Sequence, residues 1–187
     1  MAYSRASVSI KVAAPTEKVW ELVGSFANLK AITQGVIANC EMDKTGTIRK
    51  LKVKGAKGLI TERLIKYDSQ TLTQIYCIVD KPNNIVPFVD YTSTIKVRTI
   101  TAKSCTIEWS SRFVPKKGQT VKDCQEFARG VYETGIGGVK DRLGLSAKKK
   151  KVAAKAKPKA KAKPKAKAKA KAAPKAKAKA KARPKKK

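Results

Sequence analysis

The sequence contains no histidine, and its four cysteines form no Cys-x-x-Cys pair. Because zinc sites depend on such ligands at close spacing, we expect no metal site. No glycine-rich phosphate-binding motif follows a predicted strand, so no cofactor is predicted either. The cysteines are Cys40, Cys77, Cys105 and Cys124, and their wide spacing favours four reduced, partly buried thiols over a disulfide framework.

The sequence also lacks an apolar stretch long enough to span a membrane. Its N-terminus lacks the apolar core of a signal peptide. We therefore expect a soluble protein of the cytoplasm.

The last 40 residues, Lys148 to Lys187, contain no acidic residue but twenty lysines and one arginine. Removing these 21 charges from the formal net charge of +31 leaves +10 for the rest of the chain. From Ala153 onward there is no aromatic or branched apolar residue, so burial cannot offset the entropy of ordering this segment. We predict one folded domain over residues 1–146 and a disordered tail, rich in lysine, alanine and proline, over residues 147–187.

The rest of the chain is patterned as one strand, two short helical segments and about six further strands. Apolar residues alternate with polar ones from Ala6 to Val12, and the next stretch, PTEKVWELVGSF, has helical spacing of its apolar residues. From Val36 onward apolar residues recur at every second position, in short runs separated by turns. This pattern predicts an antiparallel meander. In FVDYTSTIKVRTI the alternation places Val89 and Tyr91 on the inward face together with Ser93, Ile95 and Val97.

A long helix is predicted at the end of this domain, from about Thr120 to Leu143. It is the only predicted element long enough to cover the apolar face of the sheet, and a sheet curled around one helix tends to enclose a cavity. The apolar stripe of the helix is interrupted by Gly130, Gly135, Gly137 and Gly138. Each interior glycine lowers the stability of a helix by about 0.5–1 kcal/mol relative to alanine, so four of them in one helix call for a structural explanation. They permit either close packing on the sheet or an empty volume for a ligand.

This order of elements resembles the START-like, helix-grip (SRPBCC) superfamily, and within it the polyketide cyclase/dehydrase and lipid-transport family. The resemblance is carried by VAAPTEKVWELVGSF, TERLIKYD, QIYCIV, DYTSTIKV, IEWSSRFVP and FARGVYETGIGGVKDRL, in that order. It implies an α+β fold in which a curved antiparallel sheet of about seven strands wraps a long C-terminal helix, with two short helices after the first strand. It also implies a hydrophobic small molecule bound between sheet and helix. Plant abscisic acid receptors share the superfamily, but their gate and latch motifs are replaced here by GAKG and KPNNIVP.

Strand alternation and the resemblance together suggest a set of ligand-binding residues. Such cavities are mostly apolar, with a few placed polar groups. The predicted set is Glu62, Tyr76, Ile78, Tyr91, Ser93, Trp109, Ser111 and Phe113 from the sheet, and Phe127, Val131 and Gly135 from the helix.

Glu62 is the carboxylate expected on the inward face among these residues. An inward carboxylate must be paired, solvated or protonated. Arg49 on the neighbouring strand is the simplest partner, and a water network or a polar group of the ligand is the alternative. Family members include cyclases and dehydratases, so Glu62 is also the candidate general base of an enzyme. No constellation of nucleophile, base and orienting group accompanies it, which favours binding over catalysis.

The tail resembles the C-terminal tails of linker histones and of bacterial histone-like proteins. Prolines oppose one long helix and favour an extended chain, in which lysines two residues apart repeat every ~6.2 Å, near the spacing of successive phosphates. We predict non-specific binding of nucleic acid, with RNA, polyphosphate and anionic lipid as alternative partners, and association with the nucleoid, or with the nucleus in a eukaryote. A histone-like protein whose folded domain is only a platform is a further alternative. The predicted contacts are Lys155, Lys157, Lys159, Lys161, Lys163, Lys165, Lys167, Lys169, Lys171, Lys175, Lys177, Lys179 and Lys181.

Overall fold

The computed structural model describes residues 2–82 and 84–146, and it shows one antiparallel sheet and three α-helices in this part of the chain. The predicted tail and its lysines lie outside the described residues. The strands are β1 (Ser4–Val12), β2 (Ile37–Met42), β3 (Ile48–Val53), β4 (Leu59–Asp68), β5 (Thr73–Ile78), β6 (Phe88–Thr101) and β7 (Ser104–Pro115). The helices are α1 (Thr16–Val23), a 3₁₀ turn (Phe26–Asn28), α2 (Leu29–Ile32) and α3 (Val121–Arg142).

The strand order is β1-β7-β6-β5-β4-β3-β2, and every neighbouring pair is antiparallel. β1 and β2 therefore lie at opposite edges, and the helical segment between them crosses the concave face. Register shifts in β2, β4 and β6 bend the strands, as β-bulges do, and help the sheet to curve. The predicted α+β helix-grip architecture is confirmed, including the two short helices after the first strand.

Two inward polar side chains of the sheet hold the helical segment in place. Gln74 on β5 donates a hydrogen bond to the carbonyl of Gly24, and Arg49 on β3 donates one to the carbonyl of Phe26. The first carbonyl follows the end of α1 and the second belongs to the first residue of the 3₁₀ turn. These two bonds tie the segment to β5 and β3 and thereby fix where it crosses the sheet.

The alternation predicted for β6 is wrong at its start. Phe88 is 2% exposed and points inward, whereas Val89 is half-buried. Asp90 adopts a positive φ of 50°, and the register with β7 shifts between Val89 and Thr92. This bulge moves the inward position from Val89 to Phe88, and from Tyr91 onward the predicted alternation holds.

Two of the α3 glycines are required by close packing, and a third has open space beside it. A Cβ on Gly138 would lie 1.8 Å from the carbonyl oxygen of Ile32, and a Cβ on Gly135 would lie 2.6 Å from the ring of Trp109. These two glycines let the second half of α3 pack closely on α2 and on the sheet. A Cβ on Gly130, one turn earlier, would meet nothing within 4 Å.

None of the helices in the described part of the chain combines the length and apolar character needed to cross a membrane.

The glycine contacts predict opposite effects for two matched substitutions. Gly138→Ala forces the α3 backbone away from Ile32 and should lower the free energy of unfolding by about 3 kcal/mol or more. Gly130→Ala meets no atom and should raise it by about 0.5–1 kcal/mol through helix propensity alone. Urea unfolding followed by circular dichroism measures both, and equal effects of the two substitutions would contradict this packing.

Candidate ligand-binding cavity

A cavity of about 400 Å³ lies between the concave face of the sheet and the first half of α3. Seven of the eleven predicted ligand-binding residues lie on its wall: Glu62, Tyr76, Ile78, Tyr91, Trp109, Phe127 and Val131. The wall is completed by residues outside the predicted ligand-binding set: Leu29, Thr33, Val36, Ile37, Leu51, Val53, Ile60, Val86, Phe88, Ala128, Gly130 and Thr134. Most of these are apolar, as is typical of small-molecule sites.

Four predicted residues point inward but lie behind the wall. The hydroxyl of Ser93 donates to the carbonyl of Ser110, and Ser111 accepts a hydrogen bond from Tyr132. Phe113 is fully buried, with its ring centroid 5.0 Å from that of Phe88. Gly135 is covered by the ring of Trp109. These residues support the wall without lining the cavity.

The mouth of the cavity is apolar and faces solvent. Val36, before β2, and Phe127 and Val131, on α3, are large apolar side chains on the wall that remain exposed. Single exposed apolar residues need no explanation, but three around one opening form an apolar rim. The second half of α3 is closed against α2 by the Gly138 contact, so the opening lies beside the first half.

A buried ion pair forms the charged part of the wall. The Nε atom of Arg49 lies 2.5 Å from Oε2 of Glu62, and both side chains are at least nine-tenths buried. Residues 49 and 62 are directly opposite on β3 and β4, so the register brings them together. The guanidinium also lies over the ring of Phe26, with 4.1 Å from its carbon to the ring centroid. The partner predicted for Glu62 from the sequence is therefore the one in the structure.

A chain of hydroxyl groups closes the inner end of the cavity. The Tyr132 hydroxyl donates to Oγ of Ser111 at 2.6 Å, and the Tyr91 hydroxyl oxygen lies 2.8 Å from that of Tyr132. Nearby, Nε1 of Trp109 donates to Oγ of Ser93 at 3.0 Å and to the Tyr76 hydroxyl at 3.3 Å. Polar groups at this depth are thus bonded to one another, as burial requires.

Burial keeps these phenols neutral. It raises the pKa of Tyr76, with the nearby Glu62 carboxylate adding to the rise. Burial raises the pKa of Tyr91 and of Tyr132 as well. At pH 7 all three therefore keep their protons and can act as hydrogen-bond donors or acceptors.

Two residues that shape this end of the cavity are absent from the set predicted from the sequence. Phe88 is absent because the bulge at Asp90 cannot be read from alternation. Tyr132 lies in the apolar stripe of α3, and its ring stacks on Trp109 with centroids 5.0 Å apart. Its polar role could have been predicted from its position in that stripe, because a buried tyrosine usually finds a hydrogen-bond partner.

The four cysteines are free thiols, and across residues 2–82 and 84–146 no three acidic or thiol side chains are grouped closely enough to hold a metal ion. Burial raises the pKa of Cys40, Cys105 and Cys124, which disfavours the nucleophilic thiolate.

The ion pair predicts a large cost for removing one partner. Arg49→Met leaves the Glu62 carboxylate buried without its counter-charge and should destabilise the protein by about 3–5 kcal/mol. Arg49→Met combined with Glu62→Leu should recover the part of this loss that comes from the unpaired carboxylate, although the donor to the Phe26 carbonyl stays absent. Chemical unfolding measures each variant.

The exposed Arg98–Glu108 pair, with 2.8 Å between Nε and Oε1, is the matched control for that substitution. Arg98→Met should cost less than about 1 kcal/mol, because solvent screens this pair. A small cost for Arg49→Met, or no recovery in the double variant, would mean that the buried pair does not hold the wall.

Solved structures with the same fold come from bacteria and plants. An uncharacterised protein from Bacillus thuringiensis is 24% identical, with a TM-score of 0.67, and the match covers 75% of this chain and 98% of that one. Norcoclaurine synthase from Thalictrum flavum is 18% identical, with a TM-score of 0.62 and 79% and 90% coverage. A START superfamily protein from Mycobacterium smegmatis is 14% identical, with a TM-score of 0.62 and 75% and 97% coverage. At these identities the likeness shows the fold alone.

None of the curated proteins matches this chain in sequence. The family described as polyketide cyclase / dehydrase and lipid transport does match, over residues 4–144, which include every strand and helix described above. The resemblance inferred from the sequence is thereby confirmed, and the chain belongs to the polyketide cyclase / dehydrase and lipid transport family.

Proposed function

We propose that this protein binds a hydrophobic small molecule in the cavity between the sheet and α3. The observation that supports the proposal is the cavity itself: about 400 Å³ of space with a largely apolar wall, inside a domain whose other inward side chains are closely packed. Ligand sites have volumes of about 300–1,000 Å³. The apolar rim of the mouth offers a route of entry for an apolar molecule.

The family and the fold support the same proposal. The family description includes lipid transport, and a structure of norcoclaurine synthase holds dopamine and hydroxybenzaldehyde. Small organic molecules are therefore known guests of this fold in another protein. The eleven residues predicted from the sequence divide into seven that would contact the ligand and four that would support them.

The chemistry of the wall favours binding over catalysis. A general base must have a free lone pair within reach of the substrate and a pKa near the working pH. Oε2 of Glu62 is bonded to Arg49 at 2.5 Å, which leaves only Oε1 for a substrate, and burial raises the pKa of the three tyrosines away from pH 7. We therefore favour a carrier or sensor over a cyclase or dehydratase that uses Glu62.

A substitution at the mouth tests the site. Val131→Trp places a large ring in the opening and should weaken binding of the apolar dye Nile red at least about tenfold, measured by fluorescence titration. Val121→Trp, at the exposed start of the same helix and away from the wall, is the control and should bind as the unmodified protein does. Unchanged binding in Val131→Trp would place the dye elsewhere and count against the cavity.

For the tail we propose non-specific binding of nucleic acid through phosphate contacts. The support is in the sequence: 21 positive charges and no negative ones in 40 residues, with lysine at alternate positions over long stretches. Lysine contacts phosphate as a compact charge and reads no base sequence. We also propose a domain boundary near residue 146, where the composition changes. Binding to nucleic acid would associate the protein with the nucleoid. In this division of roles the tail sets where the folded domain resides, and the cavity sets what it carries.

Removing the tail tests this second proposal. If about ten lysines contact phosphates, log Kobs for duplex DNA should fall with log salt at a slope near −9. A chain ending at Leu145 should lose most of this binding and most of the slope in gel-shift titrations. Polyphosphate and anionic vesicles as competitors identify which polyanion the tail prefers. DNA binding that survives truncation unchanged would assign it to the folded domain instead.

A further inference from the structure

The inner end of the cavity carries hydrogen-bonding groups whose directions can be worked out from the structure. Tyr91 and Tyr76 both lie on the wall, with ring centroids 6.3 Å apart. Thr33 and Thr134 also contribute hydroxyl groups to the wall, but the two tyrosine hydroxyls belong to the hydrogen-bonded network at its inner end. What they can still donate or accept depends on the bonds that they already make.

The Tyr91 hydroxyl can accept a hydrogen bond from a ligand, but its own proton is already donated within the protein. A phenol has a single O–H, and Tyr132 uses its own to donate to Ser111. The contact of 2.8 Å between Tyr91 and Tyr132 must then use the proton of Tyr91. The Tyr91 oxygen is left as an acceptor, and it suits a ligand group that donates a hydrogen bond.

Tyr76 has the complementary character. Its oxygen already accepts from Nε1 of Trp109 at 3.3 Å. Its own O–H is its single donor, for which the neighbouring Ser93 hydroxyl oxygen competes, and it suits a ligand group that accepts in place of Ser93. A group that donates to one tyrosine and accepts from the other is a hydroxyl.

The charge of the wall excludes ionised ligands. Glu62 is the charged residue of the wall, and the guanidinium of Arg49 behind it balances its charge. A carboxylate placed in the cavity would lie near Glu62 without a counter-ion, and an ammonium group would find the carboxylate already paired with Arg49. Either charge would be desolvated without compensation, which is costly.

We propose that the cavity selects a neutral hydrophobic alcohol whose hydroxyl lies between Tyr91 and Tyr76, donating to the first and accepting from the second. The inference rests on the proposed function, because it specifies the class of molecule that the same cavity binds. It adds that the selectivity comes from the direction of the hydrogen bonds, which run from Tyr91 to Tyr132 and from Tyr132 to Ser111.

Four ligands with one hydrocarbon skeleton test the selectivity on the full-length protein: farnesol, farnesal, farnesoic acid and farnesylamine. Isothermal titration calorimetry at pH 7 should give the lowest Kd for farnesol. Farnesal, which can only accept, should bind severalfold more weakly because Tyr91 is then left without a donor. The acid and the amine should bind at least about tenfold more weakly than the alcohol.

Two substitutions test the direction of the hydrogen bonds. Tyr91→Phe removes the acceptor and should bring the alcohol and the aldehyde to equal affinity. Tyr132→Phe removes the group to which Tyr91 donates, so Tyr91 regains a proton for the ligand and the preference should move toward the aldehyde. Tyr3→Phe, at an exposed tyrosine beside Arg112, is the matched control and should keep the alcohol preference.

The outcomes separate this inference from the proposed function. If all four ligands bind with similar Kd, or if the acid binds best, the cavity binds hydrophobic molecules but the inference is wrong. An alcohol preference that neither Tyr91→Phe nor Tyr132→Phe changes would also overturn it. If no member of the series binds and no Nile red titration saturates, both the inference and the proposed function fail.

Discussion

The close contact of α3 with α2 and Trp109 is the constraint on which the rest of this molecule depends. Gly138 lets the helix backbone approach the carbonyl of Ile32, and Gly135 lets the helix lie on the ring of Trp109. Both contacts are in the second half of α3. Gly130 in the first half makes no such contact, and the cavity lies beneath this half, with Val36, Phe127 and Val131 around its mouth. A helix that was glycine-free at these two positions could not approach the sheet closely, and the cavity would lose its closed end.

The buried Arg49–Glu62 pair links the fold to the character of the cavity. Arg49 holds the carbonyl of Phe26 and so positions the segment that crosses the concave face. The same guanidinium balances the carboxylate on the wall and leaves the cavity without net charge. Replacing such a pair with apolar residues is often neutral for stability. Its presence here therefore points to positioning and charge balance more than to net stabilisation.

The order of the elements could be read from the sequence because the hydrophobic period changes from two to 3.6 and back at turn residues. The face of each strand followed from the same alternation, and it paired Arg49 with Glu62 correctly. Alternation fails at a bulge, so it placed Val89 inward where Phe88 belongs. Alternation also shows which face a side chain is on but not how deeply it is buried, so Ser93, Ser111 and Phe113 were predicted as ligand contacts although they lie behind the wall. The hydrogen bonds of Tyr132 depend on the position of α3 relative to β7, and a local sequence pattern does not determine that position.

On the proposals above, the folded domain and the tail would recognise two different kinds of partner. In the folded domain the cavity wall is largely apolar, the Glu62 carboxylate on it is paired with Arg49, and a few hydroxyl groups lie at its inner end. The tail carries charge of one sign and no directed groups at all. The account therefore predicts a protein that holds a neutral apolar guest while its tail contacts a polyanion.

Native mass spectrometry of freshly purified full-length protein, followed by organic extraction and identification of any released molecule, tests the central claim most directly. The account predicts a population with one bound small molecule that is neutral and largely apolar, and that Val131→Trp fails to retain. The mass of the bare chain in every preparation, with no gain in Tm across a panel of lipids, polyketides and isoprenoid alcohols, would contradict it.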